Sequence, residues 1–183
     1  MAGIPGARSV HHVGLTVPAL EEAVDFFTEV LGAAVVYRLD TVEDPKGQWI
    51  AQKLDVHPDS TVRLALLRLG PTTNLELFEY SAPDQSKRVP KASDVGGHHL
   101  AIQVEDIDKA NDYLRGRPEV RLLGSPGSIE EGPLAGDRWV YFTTPWGLQL
   151  EVIEIPAEMA SAEGESARMF TFDGTWEEAG SRS

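Results

Sequence analysis

Two histidines and two glutamates, His12, Glu76, His99 and Glu151, are the residues of this sequence whose types and spacing best suit chemistry. His12 opens the apolar run "HHVGLTV", and His99 holds the same place in "HHLAIQV"; Glu76 lies in "NLELFE" and Glu151 in "LQLEVIE". Two imidazole nitrogens with two carboxylate oxygens form a donor set that suits a divalent metal (zinc, manganese, cobalt, nickel or iron) with water in the remaining positions. A metal of this kind is a Lewis acid that polarises an oxygen bound to it. Competing chemistries are poorly represented. The chain has no cysteine, hence no thiolate nucleophile, disulfide or sulfur-bound metal. It has no nucleophilic serine motif, and "GSPGSIEEGPLAG" lacks the strand–loop–helix context of a phosphate cradle, reading as a flexible loop.

A lone histidine in an apolar strand is ordinarily structural, and a glutamate between leucines ordinarily marks a solvated strand face. Repetition outweighs both readings. Moving from 12 to 99, a shift of 87, matches His12 with His99, Leu15 with Ile102, Val17 with Val104 and Ala23 with Ala110. Further on, a shift of 75 lays "RLALLRLGPTTNLELFE" on "RWVYFTTPWGLQLEVIE", matching Arg63 with Arg138 and Glu76 with Glu151. The two shifts differ by 12, the number of extra residues in the first copy, which fall between Asp40 and Val62. Two similar blocks in the same order with one insertion indicate an internal duplication.

The elements that must position these residues follow from periodicity. Residues 12–17 alternate as a half-buried strand, so that His12, Gly14 and Thr16 share one face while Val13, Leu15 and Val17 share the other. Pro18 ends this strand; Leu20, Ala23, Val24, Phe27 and Leu31 then recur at helical spacing, with Gly32 as the C-terminal cap. Strands are expected at 34–39, 62–69 and 74–80, the last two joined by the turn "GPTTN". The second copy repeats the pattern with a strand at 99–104, a helix at 107–115, a strand near 120–124 and a hairpin across "TPWG". Each copy is a βαβββ module. The expected organisation is a first module at 9–82 with an insert at 41–61, a second module at 96–156, and an acidic, flexible tail at 157–183 carrying Phe170, Phe172 and Trp176.

With the apolar strand faces under the helices, His12, His99, Glu76 and Glu151 project together to the concave side of the sheet, and His11 and His98 are strand-end residues. Glu79 and Glu154, three residues on from the proposed ligands, fall on the other face and are assigned to solvent. Arg63 and Arg138 correspond between modules, which favours a shared structural role. Trp49, Trp139, Tyr141 and Trp146 are candidates for the substrate-binding wall. Within the insert, "GQWIAQKLDV" presents Trp49, Ile50 and Leu54, apolar groups that suit a short helix laid over the concave side of the sheet.

Composition excludes some partners. With 16 Lys+Arg against 29 Asp+Glu the net charge is -13, unsuited to nucleic acid or an anionic membrane surface. The opening "MAGIPGARSV" has no signal-like apolar core and no run approaches a membrane span, so a cytoplasmic protein acting on a small molecule is expected.

The segments "HHVGLTVPALEEAVDFFTEVLG", "NLELFEY", "GGHHLAIQVEDID" and "RWVYFTTPWGLQLEVIE" resemble the vicinal oxygen chelate superfamily of glyoxalases, bleomycin resistance proteins, epimerases and extradiol dioxygenases. The resemblance covers most of residues 9–155 and departs from it at Thr144-Pro145-Trp146-Gly147, where the family often has Asp-Pro-x-Gly. It implies an α+β fold in which two βαβββ modules form an open, curled mixed sheet cupping a metal held by His12, Glu76, His99 and Glu151. It further implies a homodimer and a metal-dependent epimerase or isomerase in which Glu76 and Glu151 exchange a proton beside the carbonyl of a hydroxy ketone, cyclitol ketone or acyl thioester. A glyoxalase I-like lyase and an extradiol ring-cleaving dioxygenase are the alternatives.

Overall fold

The computed structural model describes residues 4–46 and 49–156, and these divide into two units, one ending at Lys87 and the other beginning at Arg88. The tail with its three aromatic residues lies outside the described residues. In the first unit, strand β1 (Val13–Thr16) leads into helix α1 (Leu20–Asp25), which continues as a π-helical turn over Phe26–Val30. Strand β2 (Ala34–Val42), helix α2 (Trp49–Leu54) and the hairpin of β3 (Thr61–Leu69) with β4 (Thr73–Ser81) complete it. The second unit contains β5 (His99–Gln103), α3 (Ile107–Arg115), β6 (Arg121–Leu122), β7 (Gly127–Ser128), β8 (Arg138–Thr143) and β9 (Gln149–Glu154). Hydrogen-bonded ladders run within each unit, giving two open mixed sheets of order β1-β4-β3-β2 and β5-β9-β8-β6, the latter with β7 paired to β8. This is the expected α+β architecture.

The duplication is visible in the pairing. The first strand of each unit lies parallel to the last, and Gly14 pairs with Glu76 as Ala101 pairs with Glu151. Past the strand ends the ladder continues alike, with Val17 N–H donating to the Phe78 carbonyl and Val104 N–H to that of Ile153, both at 2.8 Å. Since side chains alternate along a strand, this register leaves Leu15, Leu75 and Leu77 on one face of the first sheet and Val140, Phe142, Leu150 and Val152 on one face of the second, all buried. The apolar sides of α1 (Leu20, Ala23, Val24) and α3 (Ile107, Leu114) are buried with them. Each such side chain contributes roughly 1.5–3 kcal/mol on removal from water. Helical spacing did not mark Phe26 as core, yet it is buried beside Phe27, in the π turn. Gly32 follows the helix as expected, at φ 70, with Ala33 N–H reaching back to the Phe27 carbonyl.

Two expectations are corrected. Glu79 and Glu154 are half-buried rather than simply solvated: Glu79 Oε2 accepts the Leu20 N–H at 2.6 Å, and Glu154 Oε2 accepts the Ile107 N–H at 2.9 Å. The first N–H groups of a helix lack partners within it, and a carboxylate from the last strand supplies one in both units. Arg63 completes the arrangement in the first unit by pairing with Glu21 at 2.6 Å and Glu79 at 3.5 Å; Arg138 does so in the second with Asp108, through two contacts of 2.9 Å, and with Glu154 at 3.7 Å. The shared structural role expected of the two arginines is thus the tie between helix and sheet. The other correction concerns "GSPGSIEEGPLAG", which is not a featureless loop. Gly127 and Ser128 form β7 opposite Trp139 and Arg138, and the remainder is closed by Gly136 N–H on the Ile129 carbonyl and Ile129 N–H on that of Asp137.

Candidate metal and substrate site

His12 precedes β1, and its side chain takes the face of the first sheet opposite Leu15, where Glu76 also projects; the imidazole Nε2 lies 3.1 Å from Glu76 Oε2. In the second unit His99 Nε2 lies 3.0 Å from Glu151 Oε2. The structure therefore brings together one histidine and one glutamate in each unit, at equivalent places. Among the described residues of either unit, no group of three or more His, Asp or Glu is gathered as a metal-binding cluster.

Each pair fits half of a divalent-metal site. Two donors bonded to one ion at about 2.1 Å and roughly at right angles stand about 3 Å apart, which is the separation of both pairs. Ring orientation is also supported. His12 Nδ1 is 2.8 Å from His11 Nδ1, and the His11 carbonyl accepts from Asn74 Nδ2 at 2.9 Å, so the other ring nitrogen, Nε2, faces Glu76. His11, expected only as a strand end, thus also contacts the His12 ring. His98 bonds the Gly96 carbonyl instead, and His99 is steadied by the edge-to-face ring of Tyr141 at 5.3 Å.

A family model for the Glyoxalase/Bleomycin resistance protein/Dioxygenase superfamily matches residues 9–152. The chain belongs to that superfamily. It is 57% identical over 174 residues to a 2-epi-5-epi-valiolone epimerase of Actinomyces sp, covering 95% of this chain and 94% of the relative. A glyoxalase family protein from Bacillus cereus shares the fold with a TM-score of 0.62 at 21% identity, over 84% of this chain and 99% of that one. A glyoxalase family protein from Enterococcus faecalis does so with a TM-score of 0.58 at 22% identity, over 80% and 98%.

In this superfamily member the second sheet carries a cavity of about 400 Å³ walled by Ile129, Leu134, Trp139 and Ile153, with Asp137, Tyr141 and Glu151 as its polar lining. Two of the aromatic residues read from the sequence, Trp139 and Tyr141, thus stand beside Glu151. The register explains this, because Tyr141 faces Glu151 across the ladder and Trp139 faces Ile153. Trp146 lies in the β8–β9 turn and is not part of the cavity lining. In the first unit Trp49 opens α2 and is 41% exposed, while its neighbour Ile50 is fully buried and Asp44 accepts both of their N–H groups.

Burial, then the charge of Glu151 and a hydrogen bond to it, raises the Tyr141 hydroxyl above its ordinary pKa and keeps it a donor. Tyr80 is raised by burial and then by the charge of Glu76. Each glutamate thus has a neutral tyrosine nearby. Sequence reasoning passed over Asp137, whose carboxyl is driven upward by burial. Only its odd-numbered position, which puts it on the face of Trp139 and Tyr141, could have signalled it.

Proposed function

We propose that this chain is a divalent-metal-dependent epimerase acting on a cyclitol ketone of the valiolone type. The observation that carries the reading is the duplicated His–Glu pair, each at ligand spacing and each on the sheet face away from the helix. The epimerase relative, similar over 95% of the chain, supports the substrate class. His12, Glu76, His99 and Glu151 would hold the metal, which as a Lewis acid stabilises charge developing on the substrate oxygens.

The chain's own groups do the rest. Epimerisation requires a base on one side of the reacting carbon and an acid on the other, and Glu76 and Glu151 are the two carboxylates assigned to these roles. The carboxylate that takes the proton leaves an anion beside the carbonyl; the opposite carboxyl returns a proton to the other face and inverts the centre. Tyr141, a neutral donor to Glu151, orients that carboxylate. Trp139 offers an apolar wall, and α2, anchored by Ile50 with Trp49 exposed, acts as a lid that keeps water from the anion. The protein works as a homodimer in the cytoplasm.

Incubating the metal-loaded protein with 2-epi-5-epi-valiolone in deuterium oxide is the test. Deuterium at the carbon beside the carbonyl, together with the inverted epimer, is the expected outcome. A ketone recovered without deuterium after long incubation refutes the reading. Acyl thioesters, hemithioacetals and catechols offered in parallel would reveal thioester epimerase, lyase or dioxygenase activity instead.

A further inference from the structure

Asp137 is a buried titratable group of the second unit that the proposed reaction does not use. It is 3% exposed, lines the 400 Å³ cavity, and its Oδ1 has no hydrogen-bond partner among the described residues. A buried polar atom without a partner costs on the order of 1–3 kcal/mol, so its presence calls for a reason. Local structure does not supply one. Among the described residues its backbone makes the bonds, the N–H donating to the Leu134 carbonyl at 3.1 Å and the carbonyl accepting from Ile129 N–H at 3.0 Å. Gly136, at φ 97, makes the turn into β8 in a conformation that side chains resist, and so sets the direction in which Asp137 enters the strand. Two residues on along the same edge of the cavity is Trp139, whose ring lies so close over Gly127 that a Cβ there would meet Cη2 at 3.2 Å. The cavity is thus shaped with a flat apolar wall and one unclaimed acid.

We propose that Asp137 is a specificity-determining residue that hydrogen-bonds a ring hydroxyl of the substrate, while the carbon skeleton lies against Trp139 and Ile153. This deepens the epimerase reading and rests on it for the substrate class. A cavity of this volume accommodates a single hydroxylated ring, and among the described residues its lining contains no Lys, Arg or His to neutralise a phosphate. An acid raised by burial can donate as well as accept, which suits a hydroxyl better than an anionic group.

The test measures binding and turnover separately on the metal-loaded protein. Binding of 2-epi-5-epi-valiolone and of its monodeoxy analogues is followed by tryptophan fluorescence and calorimetry for the wild type, Asp137→Ala and Asp137→Asn. We expect Asp137→Ala to weaken the parent ketone about 10–100-fold, in line with the loss of one buried hydrogen bond. Asp137→Asn should stay within about 3-fold, since the amide can still pair with a hydroxyl. For one monodeoxy analogue, wild type and Asp137→Ala should bind alike, a pattern that a purely structural role would not produce. Equal loss for every analogue, or parent binding within about 3-fold in Asp137→Ala, overturns the proposal. If the wild type incorporates deuterium and Asp137→Ala binds normally, only the Asp137 assignment fails. If the wild type shows neither exchange nor saturable binding, the epimerase reading fails and takes this assignment with it.

Discussion

Removing Glu79 should destabilise the protein more than removing its counterpart Glu154. Both carboxylates accept the first N–H of a helix, at 2.6 Å from Leu20 and 2.9 Å from Ile107, and both of those residues are buried, so water cannot readily replace the lost acceptor. The helices differ in what remains. At α3 the cap residue Asp106 still accepts from Asp108 N–H and Lys109 N–H, whereas Ala19 at α1 has no side chain able to cap. A hydrogen bond to a charged group contributes about 1.5–3 kcal/mol, and a helix cap about 0.5–2 kcal/mol. Glu79→Ala is therefore expected to cost about 2–3 kcal/mol and Glu154→Ala about 1–2 kcal/mol. For a chain of this size these losses correspond to Tm drops of roughly 4–12 °C and 2–8 °C. Glu79→Gln, which keeps an acceptor without the charge, should recover about half of the first loss. Thermal melts followed by far-UV circular dichroism measure all three. A Glu79→Ala cost below about 0.5 kcal/mol, or a larger loss in Glu154→Ala, would show that the strand carboxylates do not hold the helices.

Glu76→Gln and Glu151→Gln should each abolish turnover while lowering metal content less than His12→Ala or His99→Ala; full activity in either glutamine variant removes the two-base mechanism. Trp49→Ala should lower turnover and loosen substrate binding at unchanged metal content, and unaltered kinetics would show that α2 is no lid. Asp137 gives a pH-dependent prediction. Because burial raises its carboxyl in the folded state, the fold holds this proton more tightly than the unfolded chain does, and Asp137 costs stability increasingly as pH rises from the ordinary aspartate value of about 3.9 through the raised one. Asp137→Asn should accordingly match the wild type near pH 3 and gain on it toward pH 7; a difference in Tm that is flat with pH contradicts that sign.

Periodicity and repetition were enough to place the longer strands, the helix over 107–115 and the face shared by each histidine and its glutamate, because alternation within a strand is set by the backbone over a few residues; the two-residue β7 was missed. The duplication reinforced this: residues two apart along a strand must share a face in whichever fold contains it. What the pattern could not decide was which distant group each outward side chain meets. Glu79 and Glu154 read as polar and off the metal face, which is correct, yet only the packing of α1 and α3 on the sheets shows that they cap helices. His11 gained its contact with His12 through the end of β1, where alternation no longer constrains direction. Asp137 sits at the end of a loop rich in glycine, whose course depends on pairing with β8 rather than on local preference. Its burial is a property of the walls around it, Ile129, Leu134 and Trp139, brought together across the sheet. Local geometry follows from neighbouring residues, but desolvation and hydrogen-bond satisfaction depend on everything within a few ångströms, and only the tertiary structure decides what that is.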